Sequence, residues 1–359
     1  MKKLVFVALI VALVTGMAFA ADAEVHVSGT ATADFGISAD LGVDKDQGPD
    51  RDAEAAWIFR PNDAIIEVHA EAGAVSATVK LNKGGLDKVD ASVDLDPLTL
   101  SVGYYYLPWV QWSALDVFGD SNYGIGASAL KDLYIQAKYS ADPVTIYGGI
   151  FNAGVNGDPF GVDGPIMKDD AVFPGFYIGG DFDGDGINIG AAFYGVPRGK
   201  YWEGGDKTRF SWMGNVHANF NFEPITVGVN LALYGDPGAG SSGLAIFHGV
   251  PIWELAHDLH ALGKDDVLFE AMASLGVDAG PGTLGFSIGI LTNVAKADTD
   301  SLTGGMASMK LGLCYGFDIG GGFSIIPGIV VNLALSEPDG EKPYEKGTLD
   351  IGLTCGWSF

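Results

Sequence analysis

Three groups of side chains in this sequence have types and spacings that could do chemistry. His257 and His260, with Glu254 and His248 nearby, offer the imidazole and carboxylate donors that hold zinc. They fall on a stretch opening at Pro251 in which Ile252, Leu255, Leu259 and Leu262 share one helical face. A short amphipathic helix with solvated polar residues accounts for them better. Asp181, Asp183 and Asp185, followed by Gly186, begin like a calcium loop. That loop needs an acid six places after its glycine, and Ala192 stands there, so a Gly-rich turn is the simpler account. No metal and no other cofactor is expected. No enzyme is expected either, because the sequence holds no G-x-S-x-G, no H-E-x-x-H and no phosphate loop.

The third group is larger and differently arranged. Asp34, Glu67, Glu71, Asp90, Asp94, Glu270, Asp278 and Asp350, with the fewer bases Lys80, Lys88, Lys138 and Lys310, stand on the polar positions of alternating runs. A set of fixed charges of one dominant sign does no covalent chemistry; it concentrates counter-ions and excludes co-ions.

The segments that carry these charges have a period of two. From Val25 to Ile37 the odd positions are Val25, Val27, Gly29, Ala31, Ala33, Phe35 and Ile37, and the even ones include His26, Ser28, Thr30, Thr32 and Asp34. Such alternation makes a strand with one apolar and one polar face. It recurs through Val75–Leu81, Val89–Leu95, Leu98–Tyr106 and Phe210–Phe222, and again in the last run, Leu349–Phe359. Asp96-Pro97, Asp142-Pro143 and Glu223-Pro224, with the looser Pro281-Gly282, separate consecutive runs by a few residues and read as tight hairpin turns. The intervening connections are mostly long: about 38–52, 107–122, 152–174, 195–209, 235–266, 292–305 and 336–347, with a shorter one over 82–87. Short and long connections alternate strictly.

Composition narrows the setting. The chain of 359 residues starts with Lys2 and Lys3, an apolar run from Leu4 to Val14, and Ala18-Phe19-Ala20. That is a secretory signal peptide, residues 1–20, ahead of a single domain, residues 21–359. A net charge of −25 argues against nucleic acid as a partner. A bilayer is crossed only by helices or by closed barrels, and no later apolar run suits a helix. The predicted fold is therefore all-β: a transmembrane up-and-down antiparallel barrel of about 16 strands, with short periplasmic turns and long extracellular loops. Fourteen strands is the alternative, because 53–72 and 123–139 are irregular. Outward aromatics sort to two levels, with Phe35, Tyr104, Tyr106, Phe193, Phe210, Trp212 and Phe269 beside long loops and Tyr139, Phe220, Phe222, Tyr315, Phe317, Phe323, Trp357 and Phe359 beside short turns. This is the distribution of two interfacial girdles. Cys314 and Cys355 are expected to face lipid, two strand spacings or about 9.5 Å apart, and so to remain unpaired.

In these respects the chain resembles the bacterial outer-membrane porin superfamily. The closing run ending in Trp357 and Phe359 is similar to that family's assembly signal. The resemblance implies location in the outer membrane of a diderm bacterium and contact with outer-membrane lipid. It also implies insertion by the barrel-assembly machinery and a homotrimer as the common assembly. A passive channel for small hydrophilic solutes follows, and the charges above make it cation-preferring. By the same analogy the third long loop, with Trp109, Trp112, Asp116 and Asp120, folds inward as a constriction. The alternatives are a barrel whose loops act as an adhesin or receptor, and a transporter of hydrophobic ligands.

Overall fold

The computed structural model describes residues 24–41, 55–82, 85–106, 131–151, 174–198, 209–235, 267–293, 307–336 and 347–359. Their alternating sequences form sixteen strands. In the first half these are β1 (Glu24–Asp40), β2 (Ala55–Ala72), β3 (Val75–Asn82), β4 (Gly85–Asp94), β5 (Leu98–Tyr106), β6 (Lys131–Ala141), β7 (Val144–Phe151) and β8 (Gly175–Gly184). In the second they are β9 (Ile187–Arg198), β10 (Arg209–Phe222), β11 (Ile225–Gly235), β12 (Val267–Ala279), β13 (Gly282–Asn293), β14 (Ala307–Gly320), β15 (Phe323–Ser336) and β16 (Gly347–Ser358). Each pairs antiparallel with the next, and β16 returns to β1, so the sheet is a closed barrel with no open edge. Closure satisfies every strand's backbone groups from within, which is the condition for a sheet to stand in hydrocarbon.

The seam is made by the two ends of the described chain. Gly29 and Phe359 exchange both backbone hydrogen bonds, each 3.0 Å, and the ladder runs upward from there through Ala33↔Cys355 to Asp40↔Thr348. Seven short hairpins lie at the same end as this seam. The prolyl bonds of Asp96-Pro97, Asp142-Pro143 and Glu223-Pro224 are cis, while Gly186 and Gly280 take positive φ in their turns, a conformation that glycine adopts without a Cβ penalty. All other connections leave from the opposite end.

Two bulges explain why parts of the pattern were hard to read. Between Thr32↔Asp63 and Ala33↔Pro61 the register shifts, so Asn62 has no partner and the alternation of β2 changes phase there. A second shift between Lys80↔Lys88 and Leu81↔Leu86 leaves Asp87 as the extra residue. Of the stretch expected as a connection over 82–87, Asn82 therefore ends β3 and 85–87 begin β4, and Ala55–Ala72 of the irregular 53–72 is one strand.

The faces are fixed by ladder position and exposure. Asp34 is 1% exposed and its neighbour Phe35 37%. Side chains crowd together on the concave side of a cylinder and splay apart on the convex side, so Asp34 points in and Phe35 out. Outward aromatics meet their neighbours at two levels. Near the long connections Phe35 packs on Phe59, and Phe193 on Phe176 and Trp212. Near the hairpins Phe220 packs on Phe222, Tyr315 on Phe317, Phe323 on Trp357 and Trp357 on Phe359. Trp212 and Phe222 bracket β10; with about 3.3 Å per residue and a tilt of about 40°, they stand about 25 Å apart along the barrel axis, the height of a bilayer's apolar band.

Candidate functional site: the inner wall of the barrel

Sixteen strands spaced about 4.8 Å apart and tilted about 40° give a backbone diameter of about 32 Å. An eight-stranded barrel of about half that width is filled by its own side chains; this one is not. Among the described residues, the strands in substantial contact are all ladder neighbours. Inner groups accordingly find partners sideways along the wall.

The register places Asp34, Glu67, Glu71, Lys80, Asp90, Asp94, Lys138, Glu270, Asp278, Lys310 and Asp350 on the inner face of their strands. They do not form one cluster. On β3 and β4 the bases pair with acids: Lys80 Nζ lies 3.7 Å from Asp87 and Lys88 Nζ 3.1 Å from Asp90. Asp87 was not foreseen, because only the bulge turns it inward, where Asn82 donates to it at 3.0 Å. At the seam Thr354 donates to the buried Asp34 carboxylate at 2.7 Å. On β2 the His69 ring bridges Thr78 (2.9 Å) and Glu71 (2.7 Å). Lys310 and Asp350 interact electrostatically across β15.

From β6 to β11 the wall changes character. Tyr134, Tyr147, Phe151, Tyr177, Tyr194 and Met213 are inward and buried. Phe151 stacks on Tyr194 with centroids 4.7 Å apart and tilts against Tyr177 at 6.3 Å. Glycines on the strands between make room for these rings. A Cβ on Gly149 would lie 2.6 Å from the Tyr177 ring, and it is over Gly149 that the Tyr177 hydroxyl donates to Gln136 Oε1 at 2.9 Å. Gly190 does the same for His217, whose Nε2 reaches Asn188 Oδ1 (3.1 Å) and Asp181 Oδ1 (3.3 Å) across the intervening strand. Nothing in composition marks this arc. Its one sequence signal is parity: Tyr147-Gly149-Phe151 and Gly175-Tyr177-Gly179 occupy the polar phase of strands whose other phase is also apolar.

Asp181 and Asp183 face inward on β8, while Asp185 sits in the hairpin turn before Gly186. Among the described residues no three His, Cys, Asp or Glu side chains gather as a metal set. The residues His248, Glu254, His257 and His260, the third-loop residues Trp109, Trp112, Asp116 and Asp120, and the leader 1–20 all lie outside the described residues.

Cys314 does not face lipid. It shares the phase of Lys310 and pairs with Gly285 and Gly328, so it points inward, where it packs with Ile326 and Val330 in a small apolar patch. Cys355 is on the outer face, opposite Ala33. Both thiols are free, and the barrel wall itself separates them. A thiol's low polarity is a weaker guide to its face than its place between the outward Leu313 and Tyr315.

No protein-family model and no curated protein matches the chain. Solved structures do. The outer membrane channel DcaP of Acinetobacter baumannii is similar over 95% of this chain and 98% of its own, with a TM-score of 0.66 and 10% identity. An anion-selective porin from Comamonas acidovorans is similar over 94% and 100%, at 0.60 and 9%. OmpT of Vibrio cholerae in its trimer form is similar over 94% and 99%, at 0.54 and 12%. At these identities the likeness is one of fold: a closed sixteen-stranded antiparallel barrel of the bacterial porin type.

Proposed function

We propose, from that porin-type barrel as premise, that the chain is a passive diffusion channel for small hydrophilic solutes in a bacterial outer membrane, and that it prefers cations. The observation that carries the preference is the uneven inner charge. On β7 to β12, Asp181, Asp183, Glu270 and Asp278 face inward; the basic residues of those strands are His217 and, at the ends of β9 and β10 beside the long connections, the ladder pair Arg198↔Arg209. On the opposite arc Lys80 and Lys88 have their charge partly neutralised by Asp87 and Asp90. A wall with excess fixed negative charge concentrates cations and repels anions.

Asp34, Glu67, Glu71, Asp90, Asp94 and Asp350 join that wall as pore-lining acids, with Lys80, Lys138 and Lys310 as counter-charges. The third long connection, bearing Trp109, Trp112, Asp116 and Asp120, narrows the bore. Trp357 and Phe359 serve as the assembly signal read by the barrel-assembly machinery, and the working unit is a homotrimer in outer-membrane lipid.

The test is a planar bilayer under a KCl gradient. A reversal potential of cation sign is expected, shifting toward zero in Glu270→Gln with Asp278→Asn. A reversal potential of anion sign, as the Comamonas porin's description implies for that protein, refutes the preference, and insertion without conductance refutes the channel. Deleting the third connection should raise single-channel conductance; unchanged conductance removes its role as a constriction.

A further inference from the structure

Four donor side chains meet where β1 and β2 run out at the hairpin end of the barrel. His26 stands directly opposite His69 on the ladder, and Glu24 directly opposite Glu71. Glu24 and His26 share the inward phase of Asp34 on β1, so their partners face inward with them. Opposed residues of an antiparallel pair have Cβ atoms about 4.5–5.5 Å apart. The two strands therefore present a block of two imidazoles beside two carboxylates.

Left to itself the block is unfavourable, because like charges directly opposite each other repel, and Glu24 and Glu71 are such a pair. It is also open to water: the side chains of Glu24, His26 and Glu71 are 78%, 67% and 57% exposed. Here β1 has one neighbour. Its ladder with β16 starts at Gly29, so among the described residues Glu24 to Ser28 are held by β2 alone.

His69 is already oriented as a ligand. Its Nε2 lies 2.7 Å from Glu71 Oε1, which only accepts, so Nε2 carries the proton. Its Nδ1 lies 2.9 Å from the hydroxyl of Thr78, its buried ladder partner on β3. With a metal ion in place of the Nε2 proton, Nδ1 takes up a proton and donates it to Thr78 Oγ1. A metal-bound imidazole is held in this way, by a hydrogen bond from its other nitrogen. Bonds of about 2.1 Å to nitrogen and about 2.0 Å to oxygen at a tetrahedral angle set the two atoms about 3.3 Å apart. Glu71 then retreats by about 0.6 Å from its present contact. Two nitrogens on one such ion lie about 3.4 Å apart, within reach of imidazoles on opposed ladder positions. His26 Nε2 now sits 3.7 Å from Glu24, and with each imidazole turned to the carboxylate of its own strand no three donors converge. The exposed His26 has only to rotate toward β2.

We propose that His26, His69, Glu71 and Glu24 bind one divalent ion of the zinc class, which clasps the first strand to the second at the hairpin end. Imidazole and carboxylate donors suit that ion, and two carboxylates match its charge. The site is independent of conduction, so it stands whether or not the bore passes cations.

The experiment uses the full protein folded in dodecyl maltoside, with zinc chloride as the probe and bound metal measured by equilibrium dialysis. The wild type should bind one zinc per chain at micromolar zinc. His26→Gln and His69→Gln should each weaken binding about tenfold or more, and Glu71→Gln severalfold. His257→Gln with His260→Gln, on the connection between β11 and β12, should bind as the wild type does. Heat-modifiable gel mobility reports whether each variant is a closed barrel. A second measurement needs no variant: zinc should protect His26 and His69 of the wild type from diethylpyrocarbonate, read by peptide mapping. Binding unchanged in both single-histidine variants overturns the site. So does binding only at millimolar zinc, or equal modification of His26 and His69 with and without zinc.

Discussion

Replacing Gly29 by alanine should open the seam of the barrel, and the size of the effect can be worked from the contacts there. A Cβ on Gly29 would lie 2.6 Å from Phe359 Cε1 and 3.0 Å from the Ile65 carbonyl. The ring must swing away, because the backbone on either side is held in the ladder. Phe359 then leaves Trp357, on which it packs with centroids 4.9 Å apart. An aromatic pair of this kind contributes about 0.5–1.5 kcal/mol. If the chain end lifts with the ring, the two Gly29–Phe359 backbone bonds weaken as well, at about 1 kcal/mol each. The expected loss is thus about 0.5–3.5 kcal/mol. Urea unfolding in phospholipid vesicles, followed by Trp fluorescence, measures it. A double-mutant cycle isolates the cause: in a Phe359→Ala background there is no ring to displace, and Gly29→Ala should cost only a few tenths of a kcal/mol from the tight Ile65 contact. If alanine at 29 costs the same in both backgrounds, the ring is not the obstacle and the account of the seam is wrong.

Other expectations concern the two faces. Leu231 points outward at mid-height on β11, between Val216 and Ala271. Leu231→Arg should therefore destabilise the folded barrel in vesicles by about 2–4 kcal/mol, whereas a change within about 1 kcal/mol would mean that this face does not meet hydrocarbon. The free thiols should report opposite sides of the wall. A bilayer-soluble maleimide should label Cys355 and spare Cys314, and peptide mapping that finds Cys314 labelled first would reverse the assigned faces of β14.

Where the sequence was legible, strict periodicity made it so. β1 and β16 alternate without interruption, and their faces, their aromatic ends and their charged positions Asp34 and Asp350 can be read residue by residue. β2 and β4 were harder because one bulged residue reverses every side chain beyond it. Asn62 breaks the alternation of β2, and Asp87, beside a turn signal in sequence, faces Lys80 only through its bulge. Cys314 was misplaced for a different reason: inner walls of wide barrels tolerate small apolar patches, such as Cys314 with Ile326 and Val330, so side-chain polarity is a weaker guide there than phase.

The amino-acid order alone determined the strand rhythm, the alternation of short and long connections and the identity of the charged positions, because a period of two, a Pro-centred turn and an Asp on the polar phase are local properties of the chain. Which groups meet was decided only by closure and register. Tyr177 reaches Gln136 over Gly149, His217 reaches Asp181 over Gly190, and Phe359 lies on Gly29, each contact joining residues far apart in the chain. Local pattern carries no record of stagger between strands, and stagger sets every one of those distances.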